Sequence, residues 1–285
     1  MTARSTSWMM PAVCCLAIAA ADAAPSRELS LATVNGVQRL DDYASASEAA
    51  RATAAMLLVA VEPRSGGPAD DVGNHLDRAE VQERFASSGT PWVFCRPDPA
   101  TAAALLADPG LKEMRGGAGV FVVDHAHDAW QGRIVSILPR TPGKYYRFEP
   151  RHVNELASLP AGSLTQRSMI LAVRLHPEHP RSTAGLFDPR LAAEAEAHSA
   201  HQARVRRQGH HGWDVRSQRL GGAAAEVCAE SWEHQDLLDS CVDCVASWRQ
   251  SSGHWRAVSG GHAAYGYDIR RGSNSIWYAT GIFRE

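Results

Sequence analysis

Histidines, thiols and carboxylates gather in the last third of the chain, and their types and spacing set what chemistry is possible there. His254 sits in WRQSSGHW, between a small-residue turn and the indoles of Trp248 and Trp255, with His262 shortly after it. His210 and His211 lie in the glycine-flanked turn GHHGW, and Glu230 lies in CAESW. An imidazole titrates near neutral pH, so each histidine can move a proton or offer a neutral nitrogen. Glu230 has Val227, Cys228 and Trp232 around it, which implies partial burial, and a carboxylate there needs a partner such as histidine. Cys241-x-x-Cys244 has the spacing of a redox pair, yet both sulfurs fall on the apolar stripe of a helix with Trp248 and face its core. His176, His179 and His262 read as residues of solvated loops.

The elements that must position these groups follow from capping and periodicity. SMILAVRL reads as a helix, and HPEHPRSTAGLFDP as a proline-punctuated loop. In DPRLAAEAEAHSAHQARVRRQG, Asp188 caps a helix with Pro189 in its first turn, and Leu191, Ala195, His198 and Gln202 share one face. SCVDCVASWRQS is a second helix with Ser240 as its cap, and SSGHW closes it. AAYGYDI and SIWYATGIF form two antiparallel strands joined by RRGSNS.

This ordered set resembles the CAP, or SCP-like, family of cysteine-rich secretory proteins, antigen five and pathogenesis-related proteins. The match rests on a helix ending near His210 or His211, the Glu of CAES, the Trp248-x-x-Ser251-x-x-His254 spacing and the final aromatic strands, over residues 165–285. The resemblance implies an α-β-α sandwich with a groove lined by His210 or His211, Glu230 and His254. Two neutral imidazoles with a carboxylate can hold a divalent metal ion such as zinc, with His211 and His254 as its ligands, or can move a proton. The chain departs from the family pattern in two places. Ala229-Glu230-Ser231 replaces Gly-Glu-Asn, and the helix before His254 lacks the second Glu of many eukaryotic members.

Residues 27–140 alternate helix and strand patterns: SASEAARATAA with Ser45 as cap, then MLLVAV, LDRAEVQERFASSG, PWVFC, ATAAALLAD and a closing pair, GVFVVD and GRIVSIL. A mixed sheet covered by helices follows, giving an α/β and α+β chain overall. The order resembles a thioredoxin-like domain. The stretch Glu62–Asp77, where that family carries its CxxC, has no cysteine, and RGGAG stands where its cis-proline would fall. Thiol–disulfide exchange needs an accessible thiolate, so this domain reads as degenerate. Residues 141–164, rich in Pro, Gly and polar groups, read as a linker with one short helix.

The chain has 285 residues, 21% of them charged, with a formal net charge of −2 and no basic cluster, which argues against nucleic-acid binding. Residues 1–23 read as a signal peptide: Arg4, the apolar WMMPAVCCLAIAAA and the Ala21-Asp22-Ala23 cleavage pattern. No segment is apolar over the length of a membrane span. Export to the periplasm or outside the cell makes Cys228, Cys241 and Cys244 candidates for a disulfide, and Cys95 in WVFC a small core residue. The leading expectation is a non-enzymatic or weakly enzymatic binding module for a metal ion, lipid or peptide. A hydrolase using His254 and Glu230 with activated water, and a cell-envelope scaffold whose cysteine-free domain docks a partner, are the alternatives.

Overall fold

In the computed structural model, which describes residues 32–34, 37–62, 72–221 and 223–285, the apolar runs of the first half build a six-stranded sheet. The expected signal peptide lies outside the described residues. The elements in order are β1 (Ala32–Val34), β2 (Val37–Leu40), α1 (Tyr43–Ala52), β3 (Met56–Val61), α2 (Val72–Leu76), α3 (Ala79–Ala86), β4 (Trp92–Cys95), α4 (Pro99–Leu106), β5 (Gly119–Asp124) and β6 (Arg133–Pro139). The sheet order is β1-β2-β4-β3-β5-β6, with β2, β4 and β3 parallel and the remaining pairs antiparallel.

Every residue of β3 and β5 is buried, because both faces of this sheet are covered. Side chains alternate across a strand, so Leu57, Val59, Phe121 and Val123 enter one apolar core while Met56, Leu58, Val120 and Val122 enter another. α1 starts earlier than the sequence suggested: Asp42, not Ser45, is its cap and accepts from the Ser45 N–H at 2.7 Å. Aspartate caps as well as serine, and the earlier start buries Tyr43.

The second half continues with α5 (Leu164–Leu175), β7 (Leu186–Phe187), α6 (Pro189–Val205), α7 (Trp213–Arg219), β8 (Ala224–Glu230), α8 (Leu237–Arg249), α9 (Ser252–Ser259), β9 (Ala264–Arg271) and β10 (Trp277–Arg284). Four strands form a second mixed sheet in the order β7-β9-β10-β8, in which only β7 and β9 are parallel. α6 packs on β9 and β10, while α5 packs on β9 and α8 on β8. Val227 and Ala229 share a core with Cys241, Cys244 and Trp248 of α8, so α8 covers the face of β8 opposite to Cys228. Gly266 explains how closely α6 approaches: a Cβ there would fall 2.2 Å from the Ala192 backbone nitrogen.

α5 also packs against β6 of the first sheet, so the core that holds Met56 and Val122 runs on to Trp248 and Tyr267. Arg167 of α5 is buried in this junction, donating to Ser136 Oγ at 2.9 Å and to the carbonyls of Leu159 and Pro160 at 3.1 and 2.7 Å. Residues 150–158 form a 3-10 helix that buries Val153 and Leu156. α8 begins at Leu237, before the expected Ser240, because Leu237 and Leu238 are buried and their turn is anchored from afar. Glu113 Oε2 accepts the Leu237 N–H at 2.8 Å, and Asp239 accepts the N–H groups of Lys144, Tyr145 and Tyr146 at 2.6 to 3.0 Å.

Candidate functional site

The site is built where the end of α6 returns over β8. α6 begins as expected, with Asp188 accepting from the Arg190 N–H at 2.8 Å and Pro189 in the first turn. Its buried face carries Leu191, Ala195, His198 and Gln202. The last two side chains fasten the turn that follows: His198 Nε2 lies 2.8 Å from the Gly209 carbonyl, and Gln202 Oε1 accepts the Gly209 N–H at 3.0 Å. Gln208 Nε2 donates to the Cys228 carbonyl at 3.2 Å, which ties the turn to β8. Arg206 (φ 55°) and Gly212 (φ 69°) are left-handed and bracket the turn, so His210 is delivered to a fixed place.

Glu226 is the carboxylate that meets it. His210 Nδ1 lies 2.9 Å from Glu226 Oε1, while Arg216 of α7 donates to Oε2 through Nε at 3.1 Å and through its terminal nitrogen at 2.6 Å. The Glu226 side chain is 1% exposed and that of His210 is 44% exposed, so the pair runs from the interior to the surface. Burial pushes the Glu226 carboxyl up, but the His210 and Arg216 hydrogen bonds outweigh it and hold the group below its ordinary value. Cys228, two residues on along the same face of β8, has Sγ 3.8 Å from His210 Nδ1. Burial first, and the Glu226 charge second, push its thiol up. His198, Glu226 and Cys228 each present a donor atom, all within 4.8 Å of one another.

His254 completes the outer side. Its ring centroid is 5.8 Å from that of His210, and the two rings are tilted by 39°. Burial, then the neighbouring His210, lowers its proton affinity. SSGHW does not close α8: Ser251 caps a new helix, α9, and His254 sits in its first turn. Trp248 is fully buried against Tyr267, with ring centroids 5.9 Å apart, and anchors α8 behind the site.

Two expected groove residues stand elsewhere. Glu230 is exposed at the far end of β8, opposite Tyr278, and four residues separate it from Glu226, about 13 Å along a strand. His211, one residue beyond His210, turns its ring to His201, with centroids 5.9 Å apart, while His201 stacks on His198. His254 thus stands beside His210, and His211 belongs to a separate imidazole row.

The disulfide expected among Cys228, Cys241 and Cys244 is not formed, and all of them are free, buried thiols. The pleat explains this for Cys228, which points away from α8, where Cys241 and Cys244 lie. His262 is not a loop residue in solvent: its side chain is 7% exposed, Nε2 bonds the Ala257 carbonyl at 2.7 Å and the ring stacks on Phe283. Glu226, Arg216 and His198 are functional candidates that the sequence reading passed over. The signal for Glu226 was available, since in AAEVCAE the acids 226 and 230 share a face with Cys228 and are equally placed for a strand.

Among the described residues no helix is long and apolar enough to cross a membrane. No family model matches the chain, and comparison with curated proteins and with solved structures finds no similar protein.

Proposed function

We propose that residues 165–285 form a CAP-like, exported binding module whose groove takes a divalent metal ion such as zinc through His210, His254 and Glu226. The observation that carries this reading is the contact of His210 with a buried carboxylate, with the His254 ring at its side. A sheet covered by α6 on one face and by α5 and α8 on the other supports the family reading, as does the chain order of His210, Glu226 and His254. The donor set fits the ion: imidazole nitrogens and a carboxylate oxygen are ordinary zinc ligands. When bound, zinc supplies Lewis acidity and a polarised water. The chain's own part is to orient the ligands. Arg216 fixes Glu226 from behind, and His198 fixes the Gly209 turn that carries His210.

The first sheet supports the thioredoxin-like reading through three parallel strands followed by two antiparallel ones, and the stretch Glu62–Asp77 that follows β3 carries no cysteine for a redox pair. We assign this sheet a structural role, since segments flanking its β5–β6 pair anchor α8: Glu113 accepts the Leu237 N–H, and the N–H groups of Lys144, Tyr145 and Tyr146 donate to Asp239. Zinc calorimetry on the wild type and on His254→Ala tests the reading. One equivalent of zinc bound by the wild type, with affinity at least tenfold weaker in the variant, is expected; an equal absence of heat in both removes the metal.

A further inference from the structure

We infer that Cys228 is a metal ligand, so that the ion sits on the buried side of His210 among nitrogen, oxygen and sulfur donors. The inference rests on the metal-binding reading above and goes beyond its His/Glu groove. His210 Nδ1 stands 2.9 Å from Glu226 Oε1 and 3.8 Å from Cys228 Sγ. A tetrahedral zinc ion with bonds of about 2.0 Å to nitrogen and oxygen and about 2.3 Å to sulfur has N···O edges of about 3.3 Å and N···S edges of about 3.5 Å. The two His210 edges therefore differ from these values by about 0.4 and 0.3 Å, and the Glu226 and Cys228 donor atoms lie within 4.8 Å of one another on the same side of His210. Glu226 and Cys228 occupy successive same-face positions of one β-strand, and His210 hangs over them from a turn held by His198 and Gln202.

His198 acts as a positioning residue: its Nε2, 3.9 Å from Glu226 Oε1, stays bonded to the Gly209 carbonyl at 2.8 Å. Ion entry replaces the His210–Glu226 hydrogen bond from the exposed edge of His210. The S–H bond of Cys228 breaks, its electron pair forms the metal–sulfur bond and the proton leaves to water. His210 stays neutral by carrying its proton on Nε2 instead of Nδ1. A thiolate in the set selects zinc-like ions over magnesium and calcium, which prefer oxygen ligands. Cys241 and Cys244 cannot substitute, because they lie across the sheet.

Cobalt(II) titration of the purified protein tests this. The wild type is expected to show an intense near-ultraviolet thiolate-to-cobalt band. Cys228→Ser is expected to lose that band and to bind zinc at least tenfold more weakly, with an unchanged circular dichroism spectrum. X-ray absorption of the zinc-loaded wild type, which needs no variant, is expected to find one sulfur at about 2.3 Å. Cobalt bound with visible bands but no thiolate band, or zinc with nitrogen and oxygen neighbours alone, overturns the Cys228 ligand and leaves the His/Glu reading standing. A thiolate band that persists in Cys228→Ser also overturns it. No binding of either metal overturns both.

Discussion

Glu226 and Glu230 are chemically the same residue on the same face of one strand, yet their surroundings make opposite demands. Glu226 faces Arg216, whose side chain is only 10% exposed, and His210. Glu226→Gln leaves that guanidinium without its counter-charge, and breaking a buried pair costs about 3 kcal/mol. Glu230→Gln at the exposed strand end changes stability by less than about 0.5 kcal/mol. Urea unfolding of both variants measures the difference, and equal losses would show that Glu226 does not hold the turn. The site was thus half legible in the sequence. His254 and the pair His210/His211, with His211 taken as the ligand, were named through the family resemblance; which imidazole meets the carboxylate, and that the carboxylate is Glu226 instead of Glu230, needs the turn and the depth of the strand end. His198 was placed on the right helix face, while its role depends on a turn eleven residues later.

At the scale of elements, local patterns located the long helices and the core strands of both sheets, but the short elements β1, β2, α2, β7, α7, β8 and α9 went unread, and starts were misplaced. α8 starts at Leu237 because Glu113, 124 positions earlier, accepts its first N–H. No local pattern holds that information. β1 and β2 went unread although Val34-Asn35-Gly36-Val37 carries the dipeptide favoured in tight hairpins. Glu113→Gln keeps an acceptor but loses its charge, and is expected to destabilise by about 1 kcal/mol, the worth of a cap. Asp239→Ala, which frees the N–H groups of Lys144, Tyr145 and Tyr146, is expected to cost about 3 kcal/mol, each part-buried donor losing its acceptor. Chemical denaturation of the two variants orders them; a smaller loss for Asp239→Ala would contradict its role as anchor.

β9 makes a further prediction. Asp268 is fully buried, with Arg270 Nε at 2.9 Å, the Thr165 hydroxyl donating at 2.6 Å and Glu196 paired to the same arginine. Burial pushes its carboxyl from an ordinary 3.8 up to about 7, against the pull of Arg270 and Thr165. The folded state therefore binds this proton more tightly than the unfolded chain. Its contribution to stability is fully present below about pH 4 and is lost as pH rises through about 7. Asp268→Asn removes the dependence, so the stability of the variant relative to wild type should rise from pH 4 to pH 8 in urea titrations. A gap that stays constant over that range would refute it.

For the whole molecule, the important fact is that the two sheets share an apolar core through α5, α8 and the 3-10 helix of residues 150–158. Sequence reading divided the chain at a linker because Pro, Gly and polar residues dominate there. Packing uses the same stretch as mortar, burying Tyr146, Val153 and Leu156. Unfolding in urea followed by circular dichroism and by tryptophan fluorescence should give coincident curves. Residues 165–285 expressed alone should lack a cooperative transition; a sharp one in the fragment would show that the second sheet folds independently.

The far-reaching bond from Glu113 to α8 also bears on how the chain is made. Synthesis runs from the N-terminus, so β3 and β5 emerge with Met56, Leu58, Val120 and Val122 in a core to which α2 and α3 contribute Leu76, Val81 and Phe85, but whose remaining cover, led by α5, has not yet been translated. Until it arrives, a nascent first half presents a sticky sheet surface. That exposed apolar face is the segment most prone to aggregate during synthesis, for the time taken to add α5 and the elements after it.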